Sequence, residues 1–156
     1  MIETPEDRAQ YYESYSIGQK FFGPGVTLTE ADIIDFAFRY DPQSHHIDRD
    51  AAEKSIYGGI IASGLHVLVT SFRMLIQGGF AGSASMGANG LKDLTWHSPV
   101  RPGDTISGEV EVVDMRESQS RPGLGLVAME CRVFNQHGEK VCSWGATQFI
   151  RKRPQS

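Results

Sequence analysis

The apolar positions between residues 33 and 37 recur at the spacing of one helix face. Two overlapping capping patterns precede them, Thr27 with Glu30 and Thr29 with Asp32. Pro42 disfavours helical geometry at the residue before it. The pattern therefore predicts a helix of about three turns that ends at Arg39 or Tyr40.

A second, more apolar helix is predicted further along the chain. Residues 41–48 are expected to form a loop, and Asp50 is expected to cap a short helix that ends at Lys54. Between residues 60 and 76, apolar side chains occupy nearly every face of a helix, and Arg73 is the strongly charged exception. A helix that is apolar all round is buried on most sides, so we expect this one to be central.

The second half of the chain has the patterning of strands, with β-branched and aromatic residues in partial alternation. We expect long antiparallel strands at 91–96, 104–113, 124–134 and 140–150, after an irregular strand at 18–28 and a glycine-rich link at 78–90. This order predicts an α+β fold, a single hot-dog domain in which an antiparallel β-sheet is wrapped around a central buried helix. The expected parts are an N-terminal arm at 1–15, the domain at 16–150 and a basic C-terminal tail at 151–156.

Composition narrows the classes of function. The chain has 156 residues, 40% of them hydrophobic and 22% charged, which fits one globular domain. A formal net charge of −4 argues against a nucleic-acid surface. No apolar run reaches the roughly 18 to 20 residues of a membrane helix. The N-terminus is acidic and polar rather than like a signal peptide, and Cys131 and Cys142 fit reduced thiols, so a cytoplasmic location is expected.

The segment around Asp41 and His46 holds the candidate chemistry. A carboxylate and an imidazole separated by a tight turn can converge on one small volume, where the carboxylate favours a protonated imidazole that can donate a proton. The alternative is structural: Asp41 would bond the loop backbone and His46 would be a buried, hydrogen-bonded histidine. These residue types alone leave both interpretations open.

Three sequence blocks resemble the MaoC-like dehydratase and (R)-specific enoyl-CoA hydratase family. Asp41, His46 and Ala52 stand at the spacings of its hydratase signature. Residues 59–65 are similar to the segment that leads into the family's central helix. Residues 96–105 are similar to its strand and turn ending in Pro-Val-x-x-Gly-Asp. The resemblance covers roughly residues 16–150 and implies a hot-dog fold.

The chain also departs from the family pattern at several positions. Tyr40 stands where glycine is usual, Gln43 and Ser44 replace Asn and Pro, His45 replaces an aliphatic residue, and Ser63 replaces a common His. None of these changes removes the Asp or the His of the signature. They concern the shape of the loop, and therefore the substrate more than the class of reaction.

The resemblance implies hydration or dehydration of an enoyl thioester of the acyl-CoA type, giving an (R)-3-hydroxy product. Asp41 and His46 would be the catalytic acid/base pair. The backbone N–H of Gly64, with Ser63 beside it, would bind the thioester oxygen, because the amino end of a helix favours negative charge. No cofactor is expected beyond the CoA thioester, which is itself the substrate.

Two alternative functions, a thioesterase and an acyl-binding module, fit the same fold. A hot-dog thioesterase is disfavoured because residues 64–77 contain no Asp or Glu. A non-catalytic acyl-binding module remains open. A metal site at His45, His46 and Asp48 is not expected, because adjacent side chains rarely converge. His66 is expected to be a hydrogen-bonded core histidine.

A single hot-dog domain leaves one sheet edge and one side of its helix exposed. Pairing with a second copy covers a sheet edge that would otherwise invite aggregation. We therefore expect a homodimer or a dimer-based homo-oligomer, with the acyl chain close to the subunit interface and no nucleic-acid or membrane partner.

Overall fold

The computed structural model describes residues 9–155. The helical segments of this part of the chain are a short 3-10 helix at Tyr12–Ser14 and α1 (Glu30–Tyr40), α2 (Ser44–Ile47), α3 (Arg49–Lys54) and α4 (Gly64–Gln77). The strands are β1 (Lys20–Phe22), β2 (Val26–Thr27), β3 (Ser85–Ala88), β4 (Lys92–Trp96), β5 (Thr105–Glu117), β6 (Leu124–Phe134) and β7 (Lys140–Arg151). Residues 1–8 of the predicted N-terminal arm lie outside the described chain.

The strands form one antiparallel sheet in the order β1-β5-β6-β7-β3, with β2 also paired to β5 and β4 to β7. Helix α4 packs against β1 and β5, and Trp144 of β7 donates from Nε1 to Ser71 Oγ of α4 at 2.9 Å. The sheet therefore holds α4 from several strands. This arrangement confirms the predicted α+β hot-dog fold.

The short strands differ most from the sequence prediction. The expected single strand at 18–28 is two strands, interrupted at Pro24, which has no N–H to donate to a ladder. The expected link at 78–90 contains β3, which pairs with β7 through Ser85 and Ile150 and carries Gly87 at a φ of +90°. The glycine made this segment resemble a turn, and its strand structure comes from pairing with a distant partner.

The helix starts also need correction. The capping box forms at Thr29 and Asp32, whereas Thr27 belongs to β2. The expected loop at 41–48 contains α2, one turn of helix. Asp48, and not Asp50, caps α3, because its carboxylate accepts from the Ala51 N–H at 3.0 Å.

The central helix begins four residues later than residue 60. Residues 60–63 are buried and not helical, held by bonds from Ile61 N–H to His45 O at 3.2 Å and from Ala62 N–H to Val100 O at 2.8 Å. Ser63 caps α4 by accepting from the Leu65 N–H at 3.2 Å. The apolar run therefore joins two elements, which hydrophobicity alone does not separate.

Helix α4 is not buried all round. Its core-facing side includes Val67, Met74 and Leu75, each at most 3% exposed. The opposite side carries an apolar row that we call the α4 stripe: Leu65, Val69, Phe72 and Ile76, which are 44%, 51%, 41% and 44% exposed.

Residues near both ends of the described chain pack onto the domain. Tyr15 is buried, and its hydroxyl donates to the Phe80 carbonyl. In the basic tail, the Lys152 N–H donates to the Gly123 carbonyl at 2.8 Å. Within residues 9–155, no helix combines the length and the apolar character needed to span a bilayer.

Candidate active site

Asp41 and His46 lie close together because the chain changes direction between the end of α1 and the single turn of α2. Asp41 is the C-terminal cap of α1, and its N–H still donates to the Ala37 carbonyl at 2.9 Å. Pro42 ends α1, and the single turn of α2 then carries His46 inward until it is 4% exposed. His46 Nε2 lies 3.2 Å from Asp41 Oδ2.

The hydrogen bond at His46 Nδ1 determines whether Nε2 of the neutral ring is a donor or an acceptor. Nδ1 lies 2.8 Å from the Ile61 carbonyl oxygen, which can only accept, so Nδ1 carries a proton. In the neutral ring, Nε2 is then an acceptor that faces the Asp41 carboxylate. Two acceptors this close need a proton on Nε2 or a water that donates to both. The pair is therefore arranged to hold a transferable proton or a polarised water.

The carboxylate of Asp41 is held by hydrogen bonds on both oxygens. The Ser63 hydroxyl donates to Oδ2 at 2.6 Å, and Gln43 Nε2 donates to Oδ1 at 2.7 Å. Burial acts to raise the pKa of Asp41, but the hydrogen bonds from Ser63 and Gln43, together with the nearby His46, lower it below its ordinary value. Asp41 is therefore ionised at neutral pH.

Gly64 presents a backbone donor beside this pair. Among the described residues, the Gly64 N–H has no hydrogen-bond acceptor. It is the first N–H of α4, at the positive end of the helix dipole. The Trp96 indole covers Gly64 and donates from Nε1 to its carbonyl at 2.8 Å. A Cβ on residue 64 would lie 2.6 Å from that nitrogen, so glycine is what allows the indole to approach this closely.

These groups line one cleft of about 610 Å³, which we call the active cleft. Its walls also include Tyr57, Trp96, His97 and Val100. The size lies within the range of small-molecule sites, and a few polar groups converge among apolar ones. The four site residues predicted from the sequence, Asp41, His46, Ser63 and Gly64, all line this cleft.

Some features of the site were missed in the sequence. Gln43 counted only as a departure from the family pattern, yet its amide holds Asp41 Oδ1. Ser63 was predicted as a substrate-binding residue, and the structure adds that its hydroxyl donates to Asp41 Oδ2. A weak signal was present: Ser63 immediately precedes the first helical glycine, which is the position of a capping side chain.

Two further histidines have surroundings that the sequence does not specify. His66 is 8% exposed, but its Nδ1 has no hydrogen-bond partner in the described chain, so the expected hydrogen-bonded core histidine is wrong in that respect. His45 lines the active cleft with its ring centroid 4.1 Å from that of His46. Burial, and then His46, lower the pKa of His45, which Asp41 only partly offsets. Within residues 9–155, no cluster of three or more His, Cys, Asp or Glu is arranged to hold a metal.

Known proteins are similar to this chain in fold and in sequence. The sequence model of the MaoC like domain matches residues 13–129. The uncharacterized protein YdeM of Bacillus subtilis (strain 168) is 33% identical over 140 residues, which cover 90% of this chain and 98% of YdeM. The crystal structure of the MaoC-like dehydratase from Rhodospirillum rubrum has a TM-score of 0.85 at 33% identity, covering 93% of this chain and 99% of that chain.

A second solved structure adds a named activity. The (R)-hydratase from A. caviae, described as involved in PHA biosynthesis, has a TM-score of 0.72 at 26% identity, covering 91% of this chain and 99% of its own. The domain match spans most of the chain, and the resemblance found in three short blocks extends over the whole fold. The chain therefore belongs to the MaoC-like dehydratase family.

Proposed function

We propose that this protein adds water to, or removes it from, the 2,3 double bond of an enoyl thioester of the acyl-CoA type. The observation that carries the proposal is the contact of Asp41 Oδ2 with both His46 Nε2 and Ser63 Oγ, at 3.2 and 2.6 Å, beside the Gly64 N–H. The similarity to the (R)-hydratase from A. caviae supports a hydration with R stereochemistry, and the proposed product is accordingly the (R)-3-hydroxy thioester.

In the proposed hydration, Asp41 and His46 accept and donate all the protons that move. Water is held by Asp41 and His46, its oxygen bonds to C3, and its released proton goes to Asp41. The Nε2–H bond of His46 breaks as the C2–H bond forms. A proton transfer from Asp41 Oδ2 to His46 Nε2, across 3.2 Å, then restores the starting state. A positioned acid or base contributes about 10²- to 10⁴-fold to such a step.

The negative charge that develops on the thioester oxygen is assigned to the Gly64 N–H. Its lack of a described acceptor leaves it free for the substrate, and the dipole of α4 adds to its effect. One donor of this kind is typically worth about 3 to 4 kcal/mol of barrier. Ser63 orients Asp41 in this proposal and does not itself contact the oxygen.

Hydrolysis of the thioester is the competing activity. It would direct water to the carbonyl carbon, usually with the help of an acidic residue on the central helix. Helix α4 carries no Asp or Glu, and Asp41 is the one carboxylate among the described residues that line the active cleft. Because Asp41 is paired with an imidazole able to protonate C2, hydration is favoured over hydrolysis or simple acyl binding.

One assay separates these activities. Hydration of crotonyl-CoA, or of a longer or branched enoyl-CoA, removes the conjugated ultraviolet absorbance, whereas hydrolysis releases free CoA. We expect loss of absorbance without CoA release, and we expect Asp41→Asn and His46→Gln each to lower kcat/KM by at least ~10². Near-normal turnover by either variant would contradict the assigned roles.

The matched controls lie on the surface. Asp50→Asn and His137→Gln make the same chemical changes at exposed positions outside the active cleft. Both are expected to keep the wild-type rate and the wild-type circular dichroism spectrum. If they lost activity as the site variants did, the assay would be reporting folding and not chemistry.

The α4 stripe supports a homodimer as the working state. An exposed apolar row on an otherwise core-forming helix favours burial against a second copy. Sedimentation equilibrium should give twice the chain mass of 17.2 kDa. Val69→Glu should shift that mass to the monomer, whereas Ile56→Glu, at a site 94% exposed and outside the stripe, should not. A monomeric wild type would contradict the proposed homodimer.

The cytoplasmic location stays a prediction.

A further inference from the structure

A second cleft lies on the other side of α4, between this helix and α1. We call it the α1–α4 groove; it has a volume of about 320 Å³. Buried His66 and Thr70 line it from α4, and the half-buried Phe36 lines it from α1. Arg73 lies at the rim. The volume of the groove is at the lower end of the range for small-molecule sites.

His66 is the unusual member of this groove. It is 8% exposed, and its Nδ1 is buried without a hydrogen-bond partner among residues 9–155. The ring is held by stacking on Phe36, with ring centroids 4.5 Å apart and planes 7° apart. A half-turn of the imidazole about its Cβ–Cγ bond would exchange Nδ1 with Cδ2 and keep this stack. A buried donor or acceptor without a partner destabilises the fold, and a ligand that supplied the missing hydrogen bond would recover that loss.

The charges around the groove leave one cation without a partner. The Asp32 carboxylate accepts from the N–H and the hydroxyl of Thr29 at 3.2 and 2.6 Å. Asp35 pairs with Arg39 at 3.4 Å. For Arg73, the described chain offers no carboxylate within ion-pair distance.

The geometry of α4 brings these donors onto one face. His66, Thr70 and Arg73 are spaced i, i+4 and i+7, and side chains of a helix lean toward its amino end. That lean would bring the Arg73 guanidinium over Thr70 toward His66, and all three residues line the groove. Burial lowers the pKa of His66, an effect that Asp32 only partly offsets, so the ring is neutral at neutral pH and offers one N–H.

We propose that the α1–α4 groove binds a carboxylate group, which Arg73 would pair with and His66 and Thr70 would hydrogen-bond. A guanidinium matches a carboxylate in shape and charge. A phosphate dianion is disfavoured because Arg73 would neutralise only one of its two negative charges. A cationic ligand is disfavoured because Asp32 and Asp35 already have partners in the protein. The carboxylate belongs either to a free small acid or to the far end of an acyl chain.

The second source would link the groove to the active cleft. Tyr40 lines the groove, and the next residue, Asp41, lines the active cleft. An enoyl thioester with a terminal carboxylate could thus be distinguished from one with a terminal methyl. That version rests on the proposed hydratase function, whereas binding of a free acid does not.

The test measures binding without turnover. Protein labelled with ¹⁵N in its histidine rings is titrated with butyrate, and separately with glutaryl-CoA against pentanoyl-CoA, a saturated pair of similar length. We expect saturable shifts of the His66 nitrogens with butyrate, with glutaryl-CoA or with both, at least ~10-fold weaker binding in Arg73→Gln, and unchanged binding in Lys20→Gln, a cation of β1 outside the groove. A response to butyrate alone assigns a free acid, and a response to glutaryl-CoA but not to pentanoyl-CoA assigns the acyl terminus.

The proposal fails if neither carboxylate shifts His66, or if Arg73→Gln leaves the binding unchanged. Because both thioesters are saturated, neither result depends on hydration. A protein that hydrates crotonyl-CoA yet shows no carboxylate response would overturn the groove alone. A protein that binds butyrate through Arg73 yet has no hydratase activity would overturn the proposed function alone.

Discussion

Two buried histidines lie on opposite sides of the amino end of α4, and they differ in the hydrogen-bond partners of their ring nitrogens. His46, in the active cleft, is 4% exposed and has a polar atom of the protein within 3.2 Å of each ring nitrogen. His66, in the α1–α4 groove, is 8% exposed and is held mainly by an aromatic stack, with Nδ1 unpaired among the described residues. Similar burial therefore gives one imidazole with a defined proton position and one with unused hydrogen-bonding capacity.

The difference teaches what makes a buried histidine suitable for proton transfer. A carbonyl beside Nδ1 fixes which nitrogen carries the proton, and a carboxylate beside Nε2 gives that nitrogen a partner for proton transfer. Stacking fixes only the plane of the ring. His46 is thus suited to chemistry, and His66 is suited to recognising a group that brings its own hydrogen-bonding partner.

The largest combined loss of rate and stability is expected from Gly64→Ala, on the active-cleft side. The new Cβ would lie 2.6 Å from Trp96 Nε1, so the indole or the helix start must move away from the donor position. We expect kcat/KM to fall by roughly 10² and overpacking to lower stability by about 1 to 3 kcal/mol. Steady-state kinetics and urea unfolding measure both.

Gly59→Ala is the control for that change. A Cβ there would make an ordinary contact, 3.5 Å from Arg101 Nη1. Stability is expected to change by less than about 0.5 kcal/mol. If Gly64→Ala behaved like Gly59→Ala, the close approach of Trp96 would have no role in the site.

Replacing each histidine by phenylalanine should change stability in opposite directions. His66→Phe keeps the stack on Phe36 and removes an unpaired nitrogen, so we expect a gain of about 1 kcal/mol. His46→Phe leaves the Ile61 carbonyl and Asp41 without their partner, so we expect a loss of about 1 to 3 kcal/mol. Urea unfolding of both variants measures the contrast, and a loss at both positions would remove it.

The smallest effect concerns the ionisation of Asp41. Its pKa is lowered in the fold, so its ionised form contributes stability above the unfolded-state pKa, and this contribution is lost as pH falls through the folded pKa. Ser63→Ala removes one hydrogen bond to Oδ2, so the pKa of Asp41 should rise and the contribution should shrink. Carboxyl ¹³C shifts followed across a pH titration measure this, and an unchanged midpoint would show that the Ser63 bond has no electrostatic effect.

Much of the fold was predictable because its signals are local. Strand β6 matches the predicted 124–134, and α1 ends at Tyr40 because of Pro42. Strand β3 was missed because its structure depends on pairing with β7, more than fifty residues away. The start of α4 was misplaced because residues 60–63 are as apolar as the helix that follows.

The site was predictable in its residues more than in its contacts. The spacing of Asp41 and His46 pointed to a pair, and the family resemblance pointed to the Gly64 N–H as a backbone donor. The hydroxyl of Ser63 and the amide of Gln43 reach Asp41 through side-chain directions that residue spacing does not specify. The unpaired state of His66 depends on which groups α1 brings across, so it is visible only in three dimensions.

The central claim is that Asp41 and His46 act as one unit on one water. A double-mutant cycle measures this directly: kcat/KM for an enoyl-CoA is determined for Asp41→Asn, His46→Gln and the double variant. We expect the double variant to be about as slow as the slower single variant, because residues of one catalytic unit are strongly non-additive. Losses that multiply across the two positions would contradict the account, since each residue would then act independently of the other.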